Sequence, residues 1–175
     1  GDLVSITGYD ASDKVILTVD PMGSSTIRGY DGAGRMRVES GPMGAATNVE
    51  YDPNGNKIIE RVTRVASPTE PEYLHTFTTY DARNLPVAVT TDMNFNASYE
   101  FVGGELEASG FTDEVDIVTS TTYDLAGNAV AQTDGRGFVT QSIYDNAGRV
   151  VKVIQPAPSS GATGKGPVTR TEYDG

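Results

Sequence analysis

In Arg35-Met36-Arg37-Val38-Glu39, charged and apolar residues alternate with a period of two. That alternation sets Met36 and Val38 on one side of an extended segment and the charges on the other. In Thr26-Ile27-Arg28-Gly29-Tyr30 the residues Thr26, Arg28 and Tyr30 share a face by the same rule. The pattern predicts strands at 15–19, 26–30, 35–39, 47–51, 57–62, 76–80, 86–90, 129–133, 138–144, 150–154 and 168–173. No segment sustains a 3.6-residue period, so no helix of consequence is expected.

The strands are punctuated at fixed intervals. Tyr-Asp occurs seven times, at Tyr9-Asp10, Tyr30-Asp31, Tyr51-Asp52, Tyr80-Asp81, Tyr123-Asp124, Tyr144-Asp145 and Tyr173-Asp174. The spacings are 21, 21, 29, 43, 21 and 29 residues. The long interval is a doubled period, with Phe101-Val102-Gly103-Gly104 as a degenerate start near its middle. The repeat array therefore covers 1–175, with units starting near 9, 30, 51, 80, 101, 123, 144 and 173. Repeats of this length mark tandem architectures. Four residues after each Tyr stand Asp13, Gly34, Gly55, Asn84, Gly127 and Gly148. These residue types tolerate positive φ, so the column predicts a left-handed residue closing a tight turn. Asp20-Pro21-Met22-Gly23, Gly41-Pro42-Met43-Gly44 and Asp134-Gly135-Arg136-Gly137 predict a second turn at the other end of each hairpin. Two units are longer, through insertions at 66–71 and 156–164. These lie four units apart at the same hairpin end, which points to a spiral with about four units per recurring position.

Tyr30-Asp31-Gly32-Ala33-Gly34-Arg35 and Tyr144-Asp145-Asn146-Ala147-Gly148-Arg149, each followed by turn and Thr columns in register, resemble the YD-repeat (RHS-repeat) family. Tyr51 to Asn56 and Tyr123 to Asn128 match with Asn in place of Arg. The resemblance implies an all-β, curved or spiralling single-layer antiparallel sheet of tandem hairpins, forming part of a larger hollow shell. Such shells belong to secreted or cell-surface proteins: bacterial polymorphic toxins, insecticidal toxin complexes and teneurins. The resemblance further implies a structural wall segment that encapsulates or presents another polypeptide, such as a toxin-like cargo. The alternative is an adhesive module recognising glycans or a cell-surface partner. The family's self-cleaving motif, Asp-Pro-x-Gly-Leu, has no match: Asp20-Pro21-Met22-Gly23 is followed by Ser24.

Composition agrees with a sheet that buries little. Val, Ile and Thr number 46 against 6 Leu, and 37% of residues are hydrophobic. The net charge of −11 argues against nucleic acid, which needs clustered Lys and Arg. The chain has no Cys and one His, which removes disulfides, thiolate chemistry and His-cluster metal sites. No apolar run approaches the ~18 residues of a membrane span, so no membrane insertion is expected. Both ends read as cuts from a longer chain, so the expected partners are the rest of that chain or further copies.

The candidate residues are those of the motif. They are Tyr9, Asp10, Tyr30, Asp31, Gly34, Arg35, Tyr51, Asp52, Gly55, Tyr80, Asp81, Tyr123, Asp124, Gly127, Tyr144, Asp145, Gly148, Arg149, Tyr173 and Asp174. Each Tyr either packs on its neighbour's Tyr with its hydroxyl bonded, or forms part of a ladder for stacking carbohydrate. Each Asp either caps the N–H groups of its own turn or contributes to a calcium site. Asp52 to Asn56 fails the EF-hand pattern, because Gly55 stands at loop position four and Thr63 at twelve. Asp113-Glu114 with Asp116 is the densest acidic cluster, and Asn96-Ala97-Ser98 fits a glycosylation sequon. His75, with Glu72 nearby, has no nucleophile in a recognisable setting. No enzyme activity and no cofactor are expected. Val15, Leu17, Val38, Ile59, Val87, Val130, Val151 and Val153 are expected to form an apolar face in need of cover.

Overall fold

A computed structural model describes residues 4–64, 72–92, 98–102, 105–109, 116–157 and 166–173. The insertion at 66–71, most of the one at 156–164, Asn94, Asn96-Ala97, Gly103-Gly104, Asp113-Glu114 and Asp174 lie outside the described residues.

The described secondary structure is almost wholly extended. Its strands are β1 (Ile6–Tyr9), β2 (Val15–Val19), β3 (Ser25–Tyr30), β4 (Met36–Ser40), β5 (Ala46–Tyr51), β6 (Lys57–Arg64), β7 (Glu72–Tyr80) and β8 (Pro86–Asp92). They continue as β9 (Ser98–Val102), β10 (Glu105–Ser109), β11 (Ile117–Tyr123), β12 (Ala129–Thr133), β13 (Val139–Tyr144), β14 (Val150–Ile154) and β15 (Val168–Arg170). Hydrogen bonding orders thirteen of them as β1 to β8 and then β11 to β15 in one sheet. β9 and β10 pair only with each other, so the degenerate unit begun near 101 stands outside the main strand order. Strands β1 and β11, which the alternation alone does not assign, take their places through pairing with β2 and β12.

The chain divides into two compact units: Gly1–Phe77 with Thr91–Asp116, and Thr78–Thr90 with Ile117–Gly175. In the first unit, Arg28 pairs with Glu39 and Glu39 with Thr47. Cross-strand partners share a face. Tyr30 is two residues beyond Arg28 and Tyr51 four beyond Thr47, so both tyrosines face the same way. In the second unit, Thr121 pairs with Gln132 and Gln132 with Thr140, which puts Tyr123 and Tyr144 on one face by the same count.

That register divides the expected apolar face. Leu17 pairs with Ile27 and Val38 with Gly29, on the side away from the tyrosines. Val153 pairs with Ser142, two residues before Tyr144, and so lies on the tyrosine side. Val49, Ile59 and Phe77 are the buried apolar side chains among the described residues. Ile59 pairs with Phe77 across β6 and β7, the longest strands, on the side away from the tyrosines, whereas Val49, two residues before Tyr51, lies on the tyrosine side.

Candidate functional site

Each Tyr-Asp turn among the described residues is built by one carboxylate. In the second unit of the repeat, Asp31 Oδ1 accepts the Ala33 and Arg35 N–H groups, both at 2.9 Å, and Oδ2 accepts Arg35 Nε–H at 2.8 Å. The Gly34 N–H donates to the Asp31 carbonyl at 2.9 Å. Gly34 has φ 82°, and the pairing slips by one residue between Gly29 and Tyr30. This is a type I turn followed by a left-handed residue that makes a bulge. Gly55, Gly127 and Gly148 repeat the geometry at φ 92°, 87° and 76°. Asp13 and Asn84 occupy the same column at φ 59° and 63°.

Asp10, Asp81 and Asp145 hold their turns in the same way, and Asp20 and Asp134 do so at the opposite hairpin ends. The N–H four residues on is the main reason that the Asp10, Asp31, Asp81, Asp134 and Asp145 carboxyls titrate below the usual carboxylate range. The Asn128 side-chain amide does the same for Asp124. At Asp52 burial pushes the carboxyl up, but the hydrogen bonds from Asn56 outweigh it. Oxygens committed to N–H donors are poorly placed to ligate calcium, so the geometry favours the cap.

Gly41 has no carboxylate to offer, and its turn differs from the Asp-Pro-x-Gly expectation. Pro42–Gly44 form a single 3-10 turn in which both Met43 (φ 62°) and Gly44 (φ 80°) are left-handed. Without a side-chain acceptor two residues back, the Met43 N–H is not tied into a type I turn.

The tyrosines connect neighbouring hairpins. Tyr30 donates its hydroxyl to the Val15 carbonyl at 2.9 Å, Tyr51 to Met36 at 3.0 Å and Tyr144 to Ala129 at 3.1 Å. Tyr123 donates to Pro86 at 3.0 Å and Tyr173 to Val150 at 3.0 Å. In every case the acceptor stands six residues after the preceding Tyr of the sheet. The step from Tyr123 back to the Tyr80 hairpin skips the β9–β10 pair. The rings do not stack on one another among the described residues. Cations cover them instead: Lys14 lies 5.5 Å from the Tyr30 centroid, Arg35 4.5 Å from Tyr51 and Arg149 4.5 Å from Tyr173. These three rings are thereby taken, which weighs against a sugar-stacking ladder. The final Arg of the motif thus braces its own turn through Asp and covers the next unit's ring.

His75 is in a cluster that sequence spacing did not reveal. It pairs with Arg61 across β6 and β7, on the face away from the tyrosines. Arg61 Nε–H donates to His75 Nε2 at 2.7 Å, and His75 Nδ1 faces Asp92 Oδ2 at 3.5 Å. His75 is 3% exposed and Asp92 fully enclosed. An Nε2 that accepts a hydrogen bond belongs to a neutral imidazole. Burial pulls the His75 pKa down, the Arg61 charge adds to this, and Asp92 opposes it. Asp116 is pushed up by burial, then by the charge of Asp92 and a hydrogen bond to it. His75 is thus partnered by Asp92, seventeen residues on; the side chain of Glu72 lies outside the described residues. Arg61 and Asp92 carry no local motif; only pairing across β6 to β8 brings them together. The cluster contains no nucleophile, and no group of three or more potential metal ligands occurs among the described residues.

A family model for the RHS Repeat matches residues 113–159. That segment of the chain is similar to an RHS repeat. The matched segment includes two full Tyr-Asp turns, those of Asp124 and Asp145, and one whole rung, from Tyr144 to Ala129. Comparison with curated proteins matched none. Among solved structures, the chain is similar to a TcdB2-TccC3-Cdc42 crystal structure, with TM-score 0.47, 12% identity and coverage of 88% of this chain and 9% of that one. A structure of the Photorhabdus luminescens Tc holotoxin pore, carrying a TccC3 mutation, gives TM-score 0.42, 14% identity and coverage of 86% and 8%. TcdB2-TccC3 without its hypervariable C-terminal region gives TM-score 0.37, 16% identity and coverage of 97% and 11%. The chain spans about a tenth of the length of these solved chains.

Proposed function

We propose that this chain is a wall segment of a secreted or cell-surface RHS shell, whose larger parent encloses or presents another polypeptide. The observation that carries this reading is the rung. The five Tyr hydroxyl bonds to carbonyls each run from one hairpin to the backbone of the hairpin before it in the sheet, so they tie each unit to its neighbour. A sheet of this kind extends by adding units and buries few side chains of its own. No helix among the described residues is long and apolar enough to cross a membrane. In this reading the segment is not an enzyme, and its residues act by holding backbone in place.

Sedimentation velocity of the isolated 175-residue chain at micromolar concentration tests the proposal. Half-covered faces and open strand edges should drive concentration-dependent self-association. A compact monomer at every concentration would contradict a role that depends on flanking units.

A further inference from the structure

The cation column of the rungs is interrupted at Tyr123, where the apolar Leu85 stands in it, and at Tyr144, where a polar residue does. In three other rungs the residue five after the preceding Tyr is a cation lying over the next ring: Lys14 over Tyr30, Arg35 over Tyr51 and Arg149 over Tyr173. In the Tyr144 rung that residue is Asn128. Its amide turns back to its own turn and donates to Asp124 Oδ2 at 2.9 Å. Among the described residues no cation lies over Tyr144. A surface groove of about 730 Å³ opens there, lined by Asp124, Asn128, Tyr144, Asp145, Asn146 and Gly148 among others.

We infer that this groove is a socket for an arginine side chain presented by a partner polypeptide. Three features select that chemistry. The Tyr144 hydroxyl is already committed to the Ala129 carbonyl, so the ring offers its π-face, which attracts a flat cation. Asp124 is braced by the Asn128 side-chain amide and by backbone N–H groups of its own turn, whereas Asp31 and Asp145 each hold an arginine of their own turn. Arg83 reaches the Asp124 backbone carbonyl at 2.6 Å, but it comes from the Tyr123 rung and is tied to Asp81. The groove therefore pairs an aromatic face with a carboxylate that lacks a guanidinium partner, in a chain of net charge −11. The contact an incoming arginine would make is the one Arg35 already makes to Asp31 and Tyr51. The planar guanidinium suits both ring and carboxylate better than an ammonium does.

The test is a titration of the 175-residue chain with an alternating Arg-Gly hexapeptide and with the same peptide carrying uncharged citrulline, read by backbone and side-chain amide NMR. The Arg peptide should give saturable shifts confined to 124–128 and 144–148, and citrulline should bind at least tenfold more weakly. Asn128→Arg supplies the missing guanidinium from the chain itself and should abolish binding, while Asn128→Gln should keep it. Should Asn128→Arg fail to fold, Asp124→Asn decides, with at least a tenfold loss expected. The inference is overturned if no shifts appear at millimolar peptide, or if shifts spread evenly over the acidic turns. Binding that survives Asn128→Arg, or survives Asp124→Asn unchanged, overturns it equally.

Discussion

The Tyr51 hydroxyl donates to the carbonyl of Met36, fifteen residues earlier, at 3.0 Å, and Arg35 lies 4.5 Å from the Tyr51 ring centroid. One tyrosine thus joins two hairpins by an edge bond and a face contact at once. Tyr51→Phe removes the bond and leaves the ring. It should cost about 0.5–1.5 kcal/mol, whereas Tyr51→Leu, which loses the cation–π contact too, should cost more. Urea midpoints of the two variants check this ordering; equal midpoints would contradict it.

Gly55 stands at φ 92°. Asn84 fills the equivalent column at φ 63°, so Gly55→Asn should be well tolerated. Gly55→Val places a β-branched side chain in the left-handed region and should cost about 1–2 kcal/mol or more. Thermal melts showing no difference between the two variants would rule out the backbone explanation.

The turn aspartates set the response to acid. Their folded pKa values lie below the unfolded ones, so each contributes stability that is present above the ordinary carboxylate value. That contribution is lost as pH falls through the folded value. Chemical denaturation followed downward from pH 5 should show a steady loss of stability, and Asp31→Asn should shrink it. A curve unchanged by Asp31→Asn would count against the cap.

His75 acts in a higher window. It is buried neutral with a lowered pKa, so its contribution is present above the unfolded value of about 6.5 and is lost as pH falls below that toward the folded value. Asp116 has the opposite sign: its raised pKa favours the folded state at low pH and loses that advantage as pH rises through the folded value. His75→Gln keeps an acceptor for Arg61 but cannot titrate. Its stability should fall less than that of the parent chain between pH 7 and 5, as read from urea midpoints. Parallel profiles would show that His75 does not titrate against the fold.

Arg35 tests the double role of the motif arginine. Arg35→Asn keeps a donor for Asp31, as Asn56 does for Asp52, but cannot cover the Tyr51 ring. The loss should be roughly 0.5–1 kcal/mol, with the turn amide shifts unchanged. A variant whose Asp31 turn resonances disperse would place the effect in the turn instead.

The chain's local chemistry was legible in its sequence. A carboxylate two residues before the turn's N–H groups and a Gly, Asn or Asp at the bend define each hairpin within five residues, so Asp31 and Gly34 announce themselves. The alternation about Val38 located its strand for the same reason. What lay beyond the sequence depends on register. A bulge at each tyrosine and the strand order from β8 to β11 decide which face a residue joins, and both are set by pairing between residues far apart along the chain. That is why Leu17 lies away from the tyrosines of its unit and Val153 on the tyrosine side of its own, why Tyr123 bonds to Pro86, thirty-seven residues back, and why Arg61, His75 and Asp92 meet without any shared motif. Turn chemistry acts over four residues and repeats visibly, whereas side-chain neighbours across a sheet exist only once the hydrogen-bond ladder has fixed them.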